Sequence, residues 1–280
     1  MTARDFYPRL RGEKRAPSRH TLHLSLRLIM VAVVIACLPA STDSEEPETQ
    51  WRRPANQLLF VKDPGPAPAG HKHGAFSAGP GKVRQVVWDL DNLNEIGGGR
   101  PTVLGTPRII EALHDSALAF DGQDDGLILD ANPLAGTQSF TVEAVFRPDA
   151  GGSQAQRFLH MQSSEENRVL METRLNERNE WFLDTFIKSG KSEKTLQSKA
   201  TLHPLGKWYH AALTYDGHTM RHYVDGVEEM SGEVEYTAVG GGQTSIGCRL
   251  NRVFWFKGAI RKIRISHAVL HPNQFLEKPE

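Results

Sequence analysis

The sequence predicts an all-β protein: a two-sheet antiparallel jelly-roll sandwich over residues 86–275, preceded by a signal segment and a flexible tether. Three observations carry that expectation. From Val86 onward, apolar and polar residues alternate with the period of half-buried strands. Turn residues recur at short spacing, with Asp-Gly at 121–122, 216–217 and 225–226, Asn132-Pro133, Gly190 and the glycine run 240–242. No stretch carries the period of a long amphipathic helix, and only PNQFLE at 272–277 reads as about one helical turn.

The N-terminal element comes first in the chain. Residues 1–40 hold seven basic residues (Arg4, Arg9, Arg11, Lys14, Arg15, Arg19, Arg27) against Asp5 and Glu13. Leu28–Ala40 reads LIMVAVVIACLPA, thirteen residues without a charge. That is short of the roughly 20 apolar residues a helix needs to span a bilayer, and it suits the apolar region of a secretory signal. Two processing routes fit. One cleaves after Ala40. The other uses Val34-Ile35-Ala36-Cys37, which resembles the lipobox of bacterial lipoproteins and would make Cys37 the lipidated first residue. The expected location is the cell envelope or the extracellular space, with membrane contact only through a lipid anchor or an uncleaved signal.

Residues 41–85 read as a tether. Pro47, Pro54, Pro64, Pro66, Pro68 and Pro80, with Gly65, Gly70, Gly74 and Gly79, leave too little apolar surface to offset the entropy of ordering. His71 and His73 lie within it with no third metal ligand nearby. The remaining tail is 276–280.

Composition narrows the classes. Lys plus Arg number 33 and Asp plus Glu 33 in 280 residues, so the formal net charge is zero, which speaks against a nucleic-acid partner. Gly 25 and Pro 16 lie close to average usage and exclude collagen and wholesale disorder. Cys37 and Cys248 cannot form a disulfide framework or a four-thiolate zinc site. Stability must therefore come from apolar burial.

Within 86–275, Phe140, Val142, Ala144 and Phe146 fall on one strand face, with Thr141, Glu143 and Val145 on the other. Tyr209, Ala211, Leu213 and Tyr215 repeat the pattern. Asp-Gly favours tight hairpins, because glycine accepts positive φ and aspartate tolerates it. The turn spacing leads to an expected twelve to fifteen short strands.

FDGQDDGLIL (120–129), FTVEAVFRP (140–148), KWYHAALTYDGHTMRHYVDGVEE (207–229) and FKGAIRKIRIS (256–266) resemble successive signatures of laminin-G-like jelly rolls, with VVWDLDN (86–92) similar to their opening strand. These domains belong to the concanavalin-A-like lectin/glucanase superfamily. The resemblance covers 86–275 and implies the fold. It leaves function open, since the sandwich carries binding modules, glycosidases, lyases and adhesion domains.

Sites must be argued residue by residue. The Glu-x-Asp-x-x-Glu run of the superfamily's retaining glucanases is absent, and Asp89-Leu90-Asp91 with Glu95 has the wrong spacing. Neither HExxH, G-x-S-x-G nor a phosphate-binding glycine loop occurs. No catalytic residue is assigned.

The hairpin 168–187 is more informative. Pairing Glu172 with Asp184 puts Val169, Met171, Thr173, Leu183, Thr185 and Ile187 on a core face. Arg168, Leu170, Glu172, Arg174, Phe182, Asp184 and Phe186 then share the other. That face suits an ion network, a ligand platform or a carboxylate pair. Trp181 and Trp255 are candidates for stacking on a sugar, or for core packing. In RVFWFKG (252–258), alternation groups Phe254 with Phe256 and sets Trp255 apart. The resemblance implies that Trp208 is buried.

Asp121, Asp124 and Asp125 crowd one turn and are candidate calcium ligands. Related jelly rolls carry an acidic ligand after a Gly-x-Ile sequence. Here Gly258-Ala259-Ile260 is followed by Arg261 and Lys262, which removes that ligand. His210 and His222 are expected as cross-strand neighbours. The expected function is an exported, non-catalytic binding module for a glycan or a cell-surface protein. The alternatives are a glycoside hydrolase or lyase on the same fold, and a structural envelope component.

Overall fold

The structure is a computed structural model that describes residues 83–112 and 115–277. The expectations for the signal segment, for Cys37, and for the tether with His71 and His73 lie outside the described residues.

The described residues form sixteen strands. In chain order these are β1 (Gln85–Asp89), β2 (Thr102–Leu104), β3 (Arg108–Ala112), β4 (Asp115–Asp121), β5 (Gly126–Leu129), β6 (Phe140–Pro148), β7 (Ala155–Ser164), β8 (Asn167–Leu175) and β9 (Glu180–Ser189). They continue with β10 (Ser192–Gln197), β11 (His203–Pro204), β12 (Tyr209–Tyr215), β13 (Thr219–Val224), β14 (Val227–Glu233), β15 (Gln243–Ile246) and β16 (Lys257–Ser266). The count exceeds the expected twelve to fifteen because β2 and β11, of three and two residues, are too short to show alternation. The helical reading of 272–277 contracts to one 3-10 turn at Pro272–Gln274.

All pairings are antiparallel, in two sheets of eight strands. The first runs β14-β13-β12-β6-β16-β4-β3, with β1 also on β16. The second runs β10-β9-β8-β7-β15-β5-β2, with β11 on β9. Neighbours such as β6 and β12, or β7 and β15, are distant in sequence, as a jelly roll requires. The hairpin between β13 and β14 turns at Asp225 and Gly226, both at positive φ, the conformation that Asp-Gly favours.

Burial follows the predicted alternation. Phe140, Val142, Ala144 and Phe146 on β6 meet Tyr209, Ala211, Leu213 and Tyr215 on β12 in one core. From the second sheet come Val169, Met171, Leu183, Ile187 and Ile246. Phe146 stacks on Phe158 across the two sheets, centroids 4.5 Å apart.

The opposite face of the first sheet is covered as well. Glu143, which alternation sends away from the core, is fully buried there. It forms a two-pronged pair with Arg264, accepts from Leu276 N at 2.7 Å, and lies 3.0 Å from His210 Nε2. Thr141 Oγ1 donates to Ala268 O and accepts from Leu270 N. Phe275 lies against His210 and Tyr223. These contacts bind residues 268–276 to the sheet as a strap.

Candidate functional site

The outer face of the second sheet gathers the charged residues that the sequence singled out. The register of β8 and β9 pairs Glu172 with Asp184, Arg174 with Phe182 and Leu170 with Phe186, as alternation predicts. Arg174 bridges the two carboxylates, Nη2 at 3.2 Å from Glu172 and Nε at 2.8 Å from Asp184. Gln197, opposite Asp184 on β10, donates to it at 3.2 Å.

Sequence reasoning missed the second guanidinium. Arg157 Nε lies 3.0 Å from Glu172 Oε1. It arrives through a bulge in β7: Arg157 pairs with Glu172 and Leu159 with Met171, so Phe158 is an extra residue. Phe158 and Leu159 both enter the core, while Arg157 and His160 face outward. The adjacent apolar pair Phe158-Leu159, which interrupts strict alternation, was the available signal.

The segment between β15 and β16 folds over this face. Arg157 N donates to Phe254 O, Leu250 N to His160 Nδ1, and Gly247 N to Phe158 O. The Phe254 ring lies 3.6 Å from the Arg157 guanidinium carbon, a cation–π contact. The expectation that Phe254 and Phe256 share a strand face is therefore corrected. The segment is a loop, with Phe254 at φ 57° over Arg157 and Phe256 buried in the core.

The two tryptophans part company. Trp181 has 0% exposure and packs against Phe146 and Tyr209. Its assignment as a ligand-stacking residue is corrected, because the alternation that turns Leu183 inward turns Trp181 inward too. Trp255 is half-buried over Gly126 of β5, three strands from β8, so it does not join Glu172, Arg174 and Asp184. Phe254 takes that place. Trp208 is half-buried outside the main core, against Ala112, Ala117 and Ala259 and near Arg147, rather than fully buried.

Electrostatics separate the carboxylates from ordinary ones. Burial pushes Glu172 up to about 7, opposed by Arg157 and assisted by the charge of Asp184. Burial also raises Asp184, opposed by Arg174. The two titrate as a pair. Burial lowers Arg157 from its usual value.

A pH dependence follows. A folded-state value above the unfolded one means that the folded protein holds the extra proton between about pH 4.5 and 7. The resulting stability is fully present below pH 4.5 and is lost as pH rises through 7. In denaturant melts, the advantage of the parent over Glu172→Gln should shrink as pH rises through that window. A difference that is flat with pH would refute this environment for Glu172.

The aspartate turn lies elsewhere, between β4 and β5. Ligand oxygens of Asp121, Asp124 and Asp125 lie within 4.8 Å of one another, a span calcium can bridge. Asp125, however, accepts from Thr106 N at 2.6 Å and Asp121 N at 3.0 Å, and Asp121 Oδ1 accepts from Gln123, Asp124 and Asp125 N–H groups. Three carboxylates, two of them engaged this way, fall short of the roughly six to eight oxygens calcium takes. Turn formation accounts for Asp121 and Asp125. Arg261 and Lys262 pair instead with Asp115 and Asp89, at 3.0 and 2.9 Å.

His210 and His222 are not neighbours. His210 faces Glu143 on the strap side, whereas His222, opposite Leu213, faces the core with Nδ1 3.1 Å from Thr185 Oγ1.

Solved structures share the fold at low identity. The receptor-binding domain of a botulinum neurotoxin C/D mosaic serotype matches with TM-score 0.51 and 11% identity, over 67% of this chain and 48% of that one. The binding domain of botulinum neurotoxin DC, in complex with SialylT, gives 0.50 and 15%, over 68% and 49%. The chain thus spans about half the length of these toxin chains. Domain 4 of an extracellular arabinanase from Geobacillus stearothermophilus, in complex with arabinotriose, gives 0.48 and 18%, over 71% and 90%. No curated protein matches the sequence significantly. Among the described residues no helix is long and apolar enough to cross a membrane. The laminin G-like family model described as the Concanavalin A-like lectin/glucanases superfamily matches residues 121–274, more than half of the chain, and the antiparallel sandwich agrees with it: the chain belongs to that superfamily.

Proposed function

We propose that the protein is an exported, non-catalytic binding module that recognises a glycan through the outer face of its second sheet. The observation that carries this reading is the state of Glu172 and Asp184. Each carboxylate is held by an arginine, Glu172 by Arg157 and Arg174 and Asp184 by Arg174, so neither is poised as a free nucleophile. Arg174 itself keeps 30% of its side chain exposed, and Phe254 beside Arg157 is half-exposed. A partly exposed guanidinium next to an aromatic ring suits sugar hydroxyls and a sugar's apolar face. A toxin binding domain of the same fold, in complex with SialylT, supports a glycan as the class. In this proposal residues 1–40 are the export signal, Cys37 is the lipidation site if the lipobox is used, and 41–85 is the tether.

The enzyme alternative has one observation in its favour: a carboxyl raised to about 7 directly opposite a second carboxylate. One experiment separates the two. Mature protein, its N-terminus fixed by mass spectrometry, is applied to a glycan array, and each hit is assayed for new reducing ends. Binding without turnover is expected, with Arg174→Ala weakening it by about 1–3 kcal/mol. Turnover on any hit would favour the enzyme. Unchanged affinity with a several-degree drop in melting temperature would reduce these residues to a structural network.

A further inference from the structure

Neither carboxylate of the outer face is open to a sugar: Glu172 is 3% exposed and Asp184 1%. What reaches the surface is what they hold. Arg174 donates from Nε to Asp184 and from Nη2 to Glu172, and its Nη1 has no bond among the described residues. Gln197, half-buried at the end of β10, stands on the other side of Asp184. Alternation puts it there, because Leu196 is fully buried in the core and its neighbour must turn outward. Gln197 Nε2 donates to Asp184 Oδ2 at 3.2 Å, the same oxygen that accepts from Arg174 Nε at 2.8 Å. An oxygen that accepts from a guanidinium holds the NH2 end of the amide, so Gln197 Oε1 is left without a donor among the described residues.

Two side chains bonded to one oxygen lie side by side, their bonding nitrogens no farther apart than the sum of those bonds. One offers a donor, Arg174 Nη1, and the other an acceptor, Gln197 Oε1. The charges around them narrow the ligand. Glu172 and Asp184 match Arg157 and Arg174. Farther along the strands, glutamates of the β7–β8 turn and of β10 match Arg168 and Lys188. These pairs leave no surplus of positive charge to draw in an anion.

We infer that Gln197 and Arg174 form an acceptor–donor pair that reads two neighbouring hydroxyls of an uncharged sugar. A sugar hydroxyl both donates and accepts. One hydroxyl donates to Gln197 Oε1, and its neighbour accepts from Arg174 Nη1. Asp184 orients both side chains from beneath without meeting the ligand. The assignment rests on the glycan-binding reading and adds to it a sugar class and the residue, Gln197, that selects it.

The test applies mature protein to an array of uncharged, sulfated and uronate-containing oligosaccharides. Affinity for each hit is then compared between the parent and Gln197→Met, which keeps the length of the side chain and removes the acceptor. Uncharged oligosaccharides are expected as hits, bound about five- to tenfold more weakly by Gln197→Met at an unchanged melting temperature. Monodeoxy forms of each hit supply a second measurement. One of them should bind the parent more weakly by a similar factor, yet bind Gln197→Met as well as the complete sugar does. Hits confined to sulfated or uronate sugars would overturn the pair. So would uncharged hits bound equally by parent and variant, or a deoxy loss that persists undiminished in Gln197→Met. With Arg174→Ala still weakening binding, each of these outcomes would leave the module reading standing. No hit of any class would remove the glycan reading and the pair with it.

Discussion

Alanine in place of Trp181 should cost about 3–5 kcal/mol of stability and lower the melting temperature by on the order of 10 °C. The indole is fully buried where both sheets meet, against Phe146 at 5.3 Å, Tyr209 at 5.0 Å and His203 at 4.8 Å. Such a site cannot close over the lost volume, because partners from β6, β11 and β12 are each fixed by their own strand pairing. Denaturant melts of the parent, Trp181→Ala and Trp181→Phe read the effect, and phenylalanine should recover a large part of the loss. Glycan affinity of Trp181→Phe should equal that of the parent. A Trp181→Ala protein that melts within about 2 °C of the parent but no longer binds would reinstate the indole as a stacking surface.

Glu143→Ala should destabilise by a similar amount, about 3–5 kcal/mol, because it leaves a largely buried Arg264 without a carboxylate, with only Gln274 O to accept from it. It also removes the acceptor for Leu276 N and the neighbour of His210. Loss should therefore extend along the strap. Amide exchange at Leu270 and Leu276 should accelerate well beyond that at Leu213, in the centre of the same sheet. The pH dependence has a definite sign. Burial alone would raise Glu143, but hydrogen bonds from His210 and Arg264 hold it below the usual 4.5. A lowered folded value contributes stability above the unfolded pKa that is lost as pH falls through the folded one. The gap between parent and variant should thus be full above pH 4.5 and close below it. Equal stabilities at neutral pH, or uniform exchange across the sheet, would contradict the strap.

The contrast between Glu143 and Glu172 shows where local pattern ends. Alternation sends both side chains away from the core, and both are buried. One is covered by the C-terminal strap and held ionised by His210 and Arg264. The other is paired with Arg157, on which the loop between β15 and β16 lays Phe254, and burial outweighs its arginines. What covers each face comes from more than seventy residues away in the chain, and no window around either residue contains it.

By itself the sequence determined the antiparallel sandwich, the inward faces of β6, β8, β9 and β12, and the pairing of Glu172 with Asp184. Side-chain period and turn chemistry are local properties, and a one-residue slip would have turned every apolar residue outward. It also held, unread, the inward direction of Trp181. Only the tertiary structure decided that Phe254, rather than Trp255, lies on Arg157 at the charged face and that a bulge at Phe158 turns His160 outward. These depend on which distant strands become neighbours and on a loop conformation imposed by both of its ends. That information resides in the packing of β7 against β15 and in no single stretch of chain.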